Sequence, residues 1–339
     1  MRASWALRFA ASLLFCSTTL ALPQIPGASR LWKRAGDKPL IQKDFPDPSI
    51  LQDKDGKWYA FATAGNGKMV QVAKASEPGG PWEYLDIDVL PQNGAWTTNK
   101  NTWAPDVRMT PKGTYVMYFS GQVKSNPKFH CVGTATATNI LGPYKPSAQP
   151  FDCDLNKGGS IDPSGFTDVD GKHYVVYKID GNSIGHGGSC NNGVAPFVPT
   201  PILLQEVGAD LISKIGNPIQ ILDRISSDGP LVEAPAIFRD KNGLYVMFFS
   251  SGCFTSSTYN VDYAYSKSIR GPYTRSESGP LVVTMDSFGL TAPGGATPLP
   301  DGSAIVFHAD CEQGRCFFES KIGIMGNKVL LNGVNGLYG

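Results

Sequence analysis

The chain of 339 residues carries little charge and no bias of sign: 30 basic groups face 29 acidic ones, and charged residues make up 17% of the total. Without excess positive charge it lacks the electrostatic footprint of a nucleic-acid binder or of a protein drawn to an anionic membrane. Long apolar runs are also missing, because the only such stretch, inside residues 1–21, is too short to act as a membrane anchor. No Cys-x-x-Cys pair occurs and no histidine stands at ligand spacing from a cysteine, which argues against zinc. The Gly-rich stretch GNSIGHGGSCNNG (181–193) is not followed by Gly-Lys-Ser/Thr, so it is not a phosphate cradle, though it suits a loop at the border of a binding mouth. There is no Asn-x-Ser/Thr glycosylation sequon. What these absences leave is an uncharged partner.

Glycine (38) and proline (26) are plentiful and 41% of the residues are hydrophobic, a mixture that suits many short strands joined by tight turns. The opening MRASWALRFAASLLFCSTTLA has the layout of a secretory signal peptide over residues 1–21, with Thr19 and Ala21 before the cleavage point. Lys33-Arg34 resembles a dibasic processing site and reads equally as a pair of surface charges; cleavage there would make 22–34 a propeptide and leave 35–339 as one domain. After Cys16 leaves with the signal, six cysteines remain, an even set that reads as disulfides in a secreted chain. Of their pairings the close ones, Cys131–Cys153 and Cys311–Cys316, are expected.

Five segments repeat one design: DPSILQDKDGKWYAFAT, APDVRMTPKGTYVMYFS, DPSGFTDVDGKHYVVYK, APAIFRDKNGLYVMFFS and PGGATPLPDGSAIVFHA. Their anchors are Pro48, Pro105, Pro163, Pro235 and Gly294, and a turn glycine follows each by eight residues. Each segment predicts a hairpin, with an Asp-Gly or Asn-Gly type of turn in four of the five copies. The unit recurs every 57 to 72 residues, with GPW or GPY marking a further turn in three copies, so each has room for four strands. Four-stranded units repeated radially predict an all-β, five-bladed β-propeller that fills the chain from about residue 38 to 334.

The first strand of each blade should line the central channel, so the anchors converge. Near them stand Asp47, Asp106, Asp162 and Glu233, at positions that vary from copy to copy. A purely structural repeat would keep one residue type, although Asp before Pro also caps turns. Carboxylates crowded at one mouth cannot all ionise cheaply, which is the condition for acid/base cleavage of a glycosidic bond. Phe45 and Trp103, beside the anchors, are candidates for stacking on a sugar ring or for packing between blades.

The ordered set DFPDPSI (44–50), WAPDV (103–107), SIDPSGF (160–166) and EAPAIF (233–238) resembles glycoside hydrolase family 43, secreted five-bladed propeller enzymes acting on arabinose- and xylose-containing plant polysaccharides. The resemblance implies an inverting hydrolase with Asp47 as general base, Glu233 as general acid and Asp162 tuning the acid. It implies substrate binding or site support for Asp106, and a pocket position for Arg315, which lies inside the expected Cys311–Cys316 loop. His308 takes the place of an aromatic in the fifth copy, a position where histidine is usually a hydrogen-bonded core residue. The resemblance places it in the channel near a hydrated calcium, as a direct or water-mediated ligand. The expected activity is removal of terminal L-arabinofuranosyl units from arabinan or arabinoxylan by an extracellular monomer. β-Xylosidase, endo-arabinanase and a non-catalytic sugar-binding propeller are the alternatives.

Overall fold

A computed structural model describes residues 38–284 and 288–334; the expected signal peptide and propeptide lie outside the described residues. Five four-stranded antiparallel sheets follow one another along the chain. Blade 1 is β1 (Ser49–Gln52), β2 (Trp58–Ala62), β3 (Gln71–Ala75) and β4 (Glu83–Leu85). Blade 2 is β5 (Trp103–Met109), β6 (Tyr115–Gln122), β7 (His130–Ala137) and β8 (Lys145–Pro146). Blade 3 is β9 (Ser160–Thr167), β10 (His173–Ile179), β11 (Ile202–Val207) and β12 (Lys214–Leu222). Blade 4 is β13 (Val232–Arg239), β14 (Tyr245–Ser251), β15 (Asn260–Ser266) and β16 (Thr274–Arg275). Blade 5 is β17 (Gly294–Pro298), β18 (Ala304–Cys311), β19 (Gly314–Met325) and β20 (Lys328–Val334). The described residues contain no α-helix.

The core lies between blades. Phe61 and Val72 of blade 1 pack with Met117 and Phe119 of blade 2, and Tyr118 of blade 2 with Val175 and Tyr177 of blade 3. Val176 and Leu204 meet Met247 and Phe249, Phe248 and Val261 meet Ile305 and Phe307, and Val306 and Phe317 return to Ile50 and Ala60. Thus the alternating faces of β2, β6, β10, β14 and β18 each serve two interfaces. The ring is closed by the segment before β1, where Leu40 and Phe45 donate their N–H groups to the carbonyls of Phe317 and Arg315, both at 2.8 Å.

The predicted hairpins are present, and their turn glycines Gly56, Gly113, Gly171, Gly243 and Gly302 have φ between 68° and 88°. The fifth copy departs from the expected spacing. Gly294 pairs with His308, and Thr297 with Val306, as Trp103 pairs with Ser120 and Asp106 with Tyr118. Its anchor is therefore Ala296 rather than Gly294, on a shorter hairpin. His308 consequently stands level with Ser120, Ser250 and Lys178 rather than with the aromatics Phe119, Phe249 and Tyr177.

In blades 2 to 5 this register shift is a bulge at the channel, and in all five blades the residue before the anchor adopts a left-handed backbone: Asp47, Ala104, Asp162, Ala234 and Gly295, with φ from 42° to 62°. A bulge takes an N–H out of its ladder, and a buried N–H needs an acceptor. In each case a side chain of the preceding blade supplies it. Ala104 donates to Thr63 Oγ1 at 2.8 Å, Asp162 to Ser120 Oγ at 2.9 Å and Gly295 to Ser250 Oγ at 2.9 Å. Ala234 donates to Asp162 Oδ2 at 2.9 Å, and Asp47 to His308 Nδ1 at 3.0 Å, the last joining blade 5 to blade 1. The proline that follows four of these residues adds no second donor to satisfy.

Replacing Ser250 by Ala should strand the Gly295 N–H and cost about 1–3 kcal/mol of stability in urea unfolding. Ser250→Thr, which keeps the acceptor, should cost clearly less.

Candidate active site

The anchor segments of all five blades line a narrow central channel, from Asp47 and Ser49 around to Ala296 and Thr297. Above it opens a cavity of about 460 Å³, lined by Asp47, Asp162 and Glu233 together with Thr63, Trp103, Asp180, Tyr259 and Arg315, among others. That volume lies within the usual range for small-ligand sites. Blades 1, 3 and 4 thus each contribute one anchor carboxylate to a single space, and blade 3 adds Asp180.

Asp47 is held as an anion. Thr63 Oγ1 donates to its Oδ2 at 2.6 Å and Arg315 Nη1 reaches its Oδ1 at 3.5 Å. Burial alone would raise its pKa, but the Arg315 guanidinium first, with the Thr63 hydroxyl, outweighs burial and holds it below the ordinary carboxylate range. The other aspartate of DFPD, Asp44, accepts the backbone N–H of Arg315 at 2.9 Å, so both acidic residues of the motif fasten residue 315. The guanidinium also lies over the Phe254 ring, 5.2 Å from its centre.

Glu233 is clamped at both oxygens, by Tyr259 Oη at 2.8 Å and by Lys178 Nζ at 3.2 Å. Lys178 is fully buried and also meets Asp180 Oδ1 at 3.1 Å. Burial favours the neutral amine, yet Asp180, Glu233 and Asp162 outweigh it and keep the ammonium charged. Asp162 is in the opposite condition: burial first, and the negative charge of Glu233 second, push its carboxyl well above the usual range. Burial likewise keeps the Tyr259 hydroxyl protonated and able to donate.

The walls are aromatic and polar. Trp103, 36% exposed, stacks on His130 with ring centres 3.4 Å apart and planes at 19°. Phe254 and the stretch containing Asn182, Ser183, Cys190 and Asn191 complete the mouth, as expected for the Gly-rich loop. A disulfide between Cys190 and Cys253 ties that loop to blade 4. It joins the two expected bridges, Cys131–Cys153 and Cys311–Cys316.

Three expected site residues do not reach the cavity. Phe45 is fully buried, edge-on to Tyr84 and Phe317, because its position in the closing segment faces the core. Asp106 lies deeper in the channel with both oxygens engaged, by a two-pronged contact from Arg108 at 2.8 Å and by the Gly165 N–H at 2.8 Å, so it supports the frame rather than a ligand. His308 touches Asp47 from below. Burial, with Arg315 second, depresses its pKa to about 3, so the ring is neutral. Its Nδ1 accepts the Asp47 N–H, which puts the proton on Nε2 and leaves that nitrogen no lone pair for a cation. No group of three or more His, Cys, Asp or Glu side chains able to hold a metal occurs among the described residues. The residues present therefore do not fit calcium bound directly to His308.

Thr63, Lys178 and Tyr259 were not singled out from sequence. Lys178 had a visible signal, a lone charge inside the apolar run HYVVYKI; the other two carry none.

Residues 36–325 match the family model described as glycosyl hydrolases family 43. An extracellular endo-α-(1→5)-L-arabinanase 2 of Bacillus subtilis is 26% identical over 72% of this chain and 53% of its own length, so the chain spans about half of that relative. A probable arabinan endo-1,5-α-L-arabinosidase C of Aspergillus flavus is 25% identical over 77% of this chain and 81% of its own. In fold, the chain resembles a thermostable family-43 glycoside hydrolase with a TM-score of 0.72 and 21% identity, covering 89% of this chain and 95% of that one. A native Bacillus subtilis arabinanase aligns with a TM-score of 0.64 and 22% identity, over 86% and 98% of the two chains. The five-bladed ring, its three converging carboxylates and a family match across most of the chain lead to one conclusion: this protein belongs to glycosyl hydrolases family 43.

Proposed function

We propose that the chain hydrolyses α-1,5-linked L-arabinofuranosyl backbone of arabinan outside the cell, in one inverting step. The observation that carries this reading is the meeting of Asp47, Asp162 and Glu233 in one cavity with different neighbours, Asp47 held ionised and Asp162 pushed toward the neutral form. Asp47, held ionised, takes a proton from water as that water attacks the anomeric carbon. Glu233 gives its proton to the departing glycosidic oxygen. Asp162, whose own carboxyl burial keeps toward the neutral form, tunes the acid. An ionised base and a protonated acid at the same pH is what a single displacement needs.

Arabinan as substrate is supported by the relatives, whose printed names specify the α-1,5 linkage. A cavity of about 460 Å³ has room for more than one pentose ring, with Trp103 as a stacking wall. The terminal-unit reading drawn from sequence keeps one supporting observation, the Cys190–Cys253 tie that walls the mouth on one side. Secretion is supported by three disulfides.

Linear arabinan should be cut to oligosaccharides with only slow release of arabinose from aryl arabinofuranosides; rapid monosaccharide release without a fall in polymer length would favour the terminal-unit reading. Glu233→Ala and Asp47→Ala should each lower kcat by about 10²–10⁴-fold, and full activity in either would remove its assigned role. Arg315→Met tests the base. Because Arg315 holds the Asp47 pKa down, activity falls only as pH drops through that low value, and removing the cation raises it. The acid limb of the kcat/KM profile should move up by about 1 unit or more.

A further inference from the structure

We propose that Lys178 is a positioning residue for Glu233: its buried ammonium occupies the site that in the other four blades holds the inter-blade acceptor, and there it aims and electrostatically biases the acid. The proposal rests on Glu233 acting as the acid.

At the level of Lys178 the other blades carry Thr63, Ser120, Ser250 and His308, and every one accepts the N–H of the next blade's left-handed residue. An ammonium has no lone pair and cannot do this. The orphaned Ala234 N–H is taken instead by Asp162 Oδ2 at 2.9 Å. A serine at 178 would serve the frame as it does in two other blades, without the desolvation cost of a fully buried cation. The cation therefore answers a different need, and its contacts identify it as Glu233 Oε2 at 3.2 Å and Asp180 Oδ1 at 3.1 Å. With Tyr259 on Oε1, it leaves Glu233 one orientation.

The substitution has a second effect. Because Asp162 has to serve as acceptor for Ala234, one of its oxygens is committed to the fold, and a retained proton must sit on the other. The charged and titratable groups around Glu233 are Lys178 with Asp180 behind it, Asp162, Tyr259 and Arg315. Lys178 lies in direct contact with its carboxyl and favours the ionised form. Removing that charge makes the acid hold its proton to higher pH.

Lys178→Ser restores the acceptor residue type found in blades 2 and 4, and Lys178→Met keeps the length without charge or acceptor. On linear arabinan, Lys178→Ser should lower kcat about 100-fold with little change in KM, and the alkaline limb of its kcat/KM profile should move up by about 1 unit or more. A ¹³C titration of the Glu233 carboxyl, assigned with Glu233→Gln, should show the same upward move without any substrate. If both variants titrate as the wild type, or if neither folds, Lys178 serves the frame alone and the proposal is overturned. If the wild-type enzyme cuts no arabinan, the substrate reading fails while the carboxyl titration still decides the role of Lys178.

Discussion

Five backbone N–H groups, turned out of their ladders at the channel, each require an acceptor from the neighbouring blade, and this requirement joins the ring to the site. The left-handed residue that presents the N–H is also the residue whose side chain or neighbour points into the cavity: Asp47 and Asp162 in blades 1 and 3, Ala234 beside Glu233 in blade 4. A bulge lets a side chain leave the strand's alternation and face a ligand. Its orphan donor is then satisfied from outside the blade. Frame and chemistry share atoms, which is why His308 lies beneath Asp47 and Thr63 serves both the Asp47 carboxylate and the Ala104 N–H.

The same frame explains how three carboxylates coexist. Each occupies a different blade and inherits different neighbours: a guanidinium and a hydroxyl for Asp47, an ammonium and a phenol for Glu233, a backbone amide and a nearby anion for Asp162. Burial pushes Asp47 and Asp162 toward the neutral form, and their neighbours decide which resists. Division of roles is thus a consequence of fivefold placement with unequal side chains.

Much of this was legible in the chain. The hairpin repeat is local, since turn glycines and strand alternation act within a few residues, and all five hairpins are present. Asp47, Asp162, Glu233, Trp103 and Arg315 were recognisable from the anchors and the family resemblance, and they meet in one cavity. The fifth copy was misread by its glycines. Gly294 mimics an anchor at the usual distance from Gly302, but a shorter hairpin moves the anchor to Ala296 and His308 into the acceptor row. Phe45 and Asp106 sit as near the anchors in sequence as the residues that line the cavity, and only the facing of their side chains separates them.

The sequence by itself determined the number of blades, the anchor of the inner strand in four of them and the acidic residues available at the centre, because these depend on turn chemistry and on a period that neighbours in the chain enforce. Tertiary structure decided which residues touch. Lys178 reaches Glu233 across 55 positions and His308 reaches Asp47 across 261. Contacts of that span depend on the register of each hairpin and on ring closure, and a shift of one residue at a bulge turns a side chain from the cavity into the core.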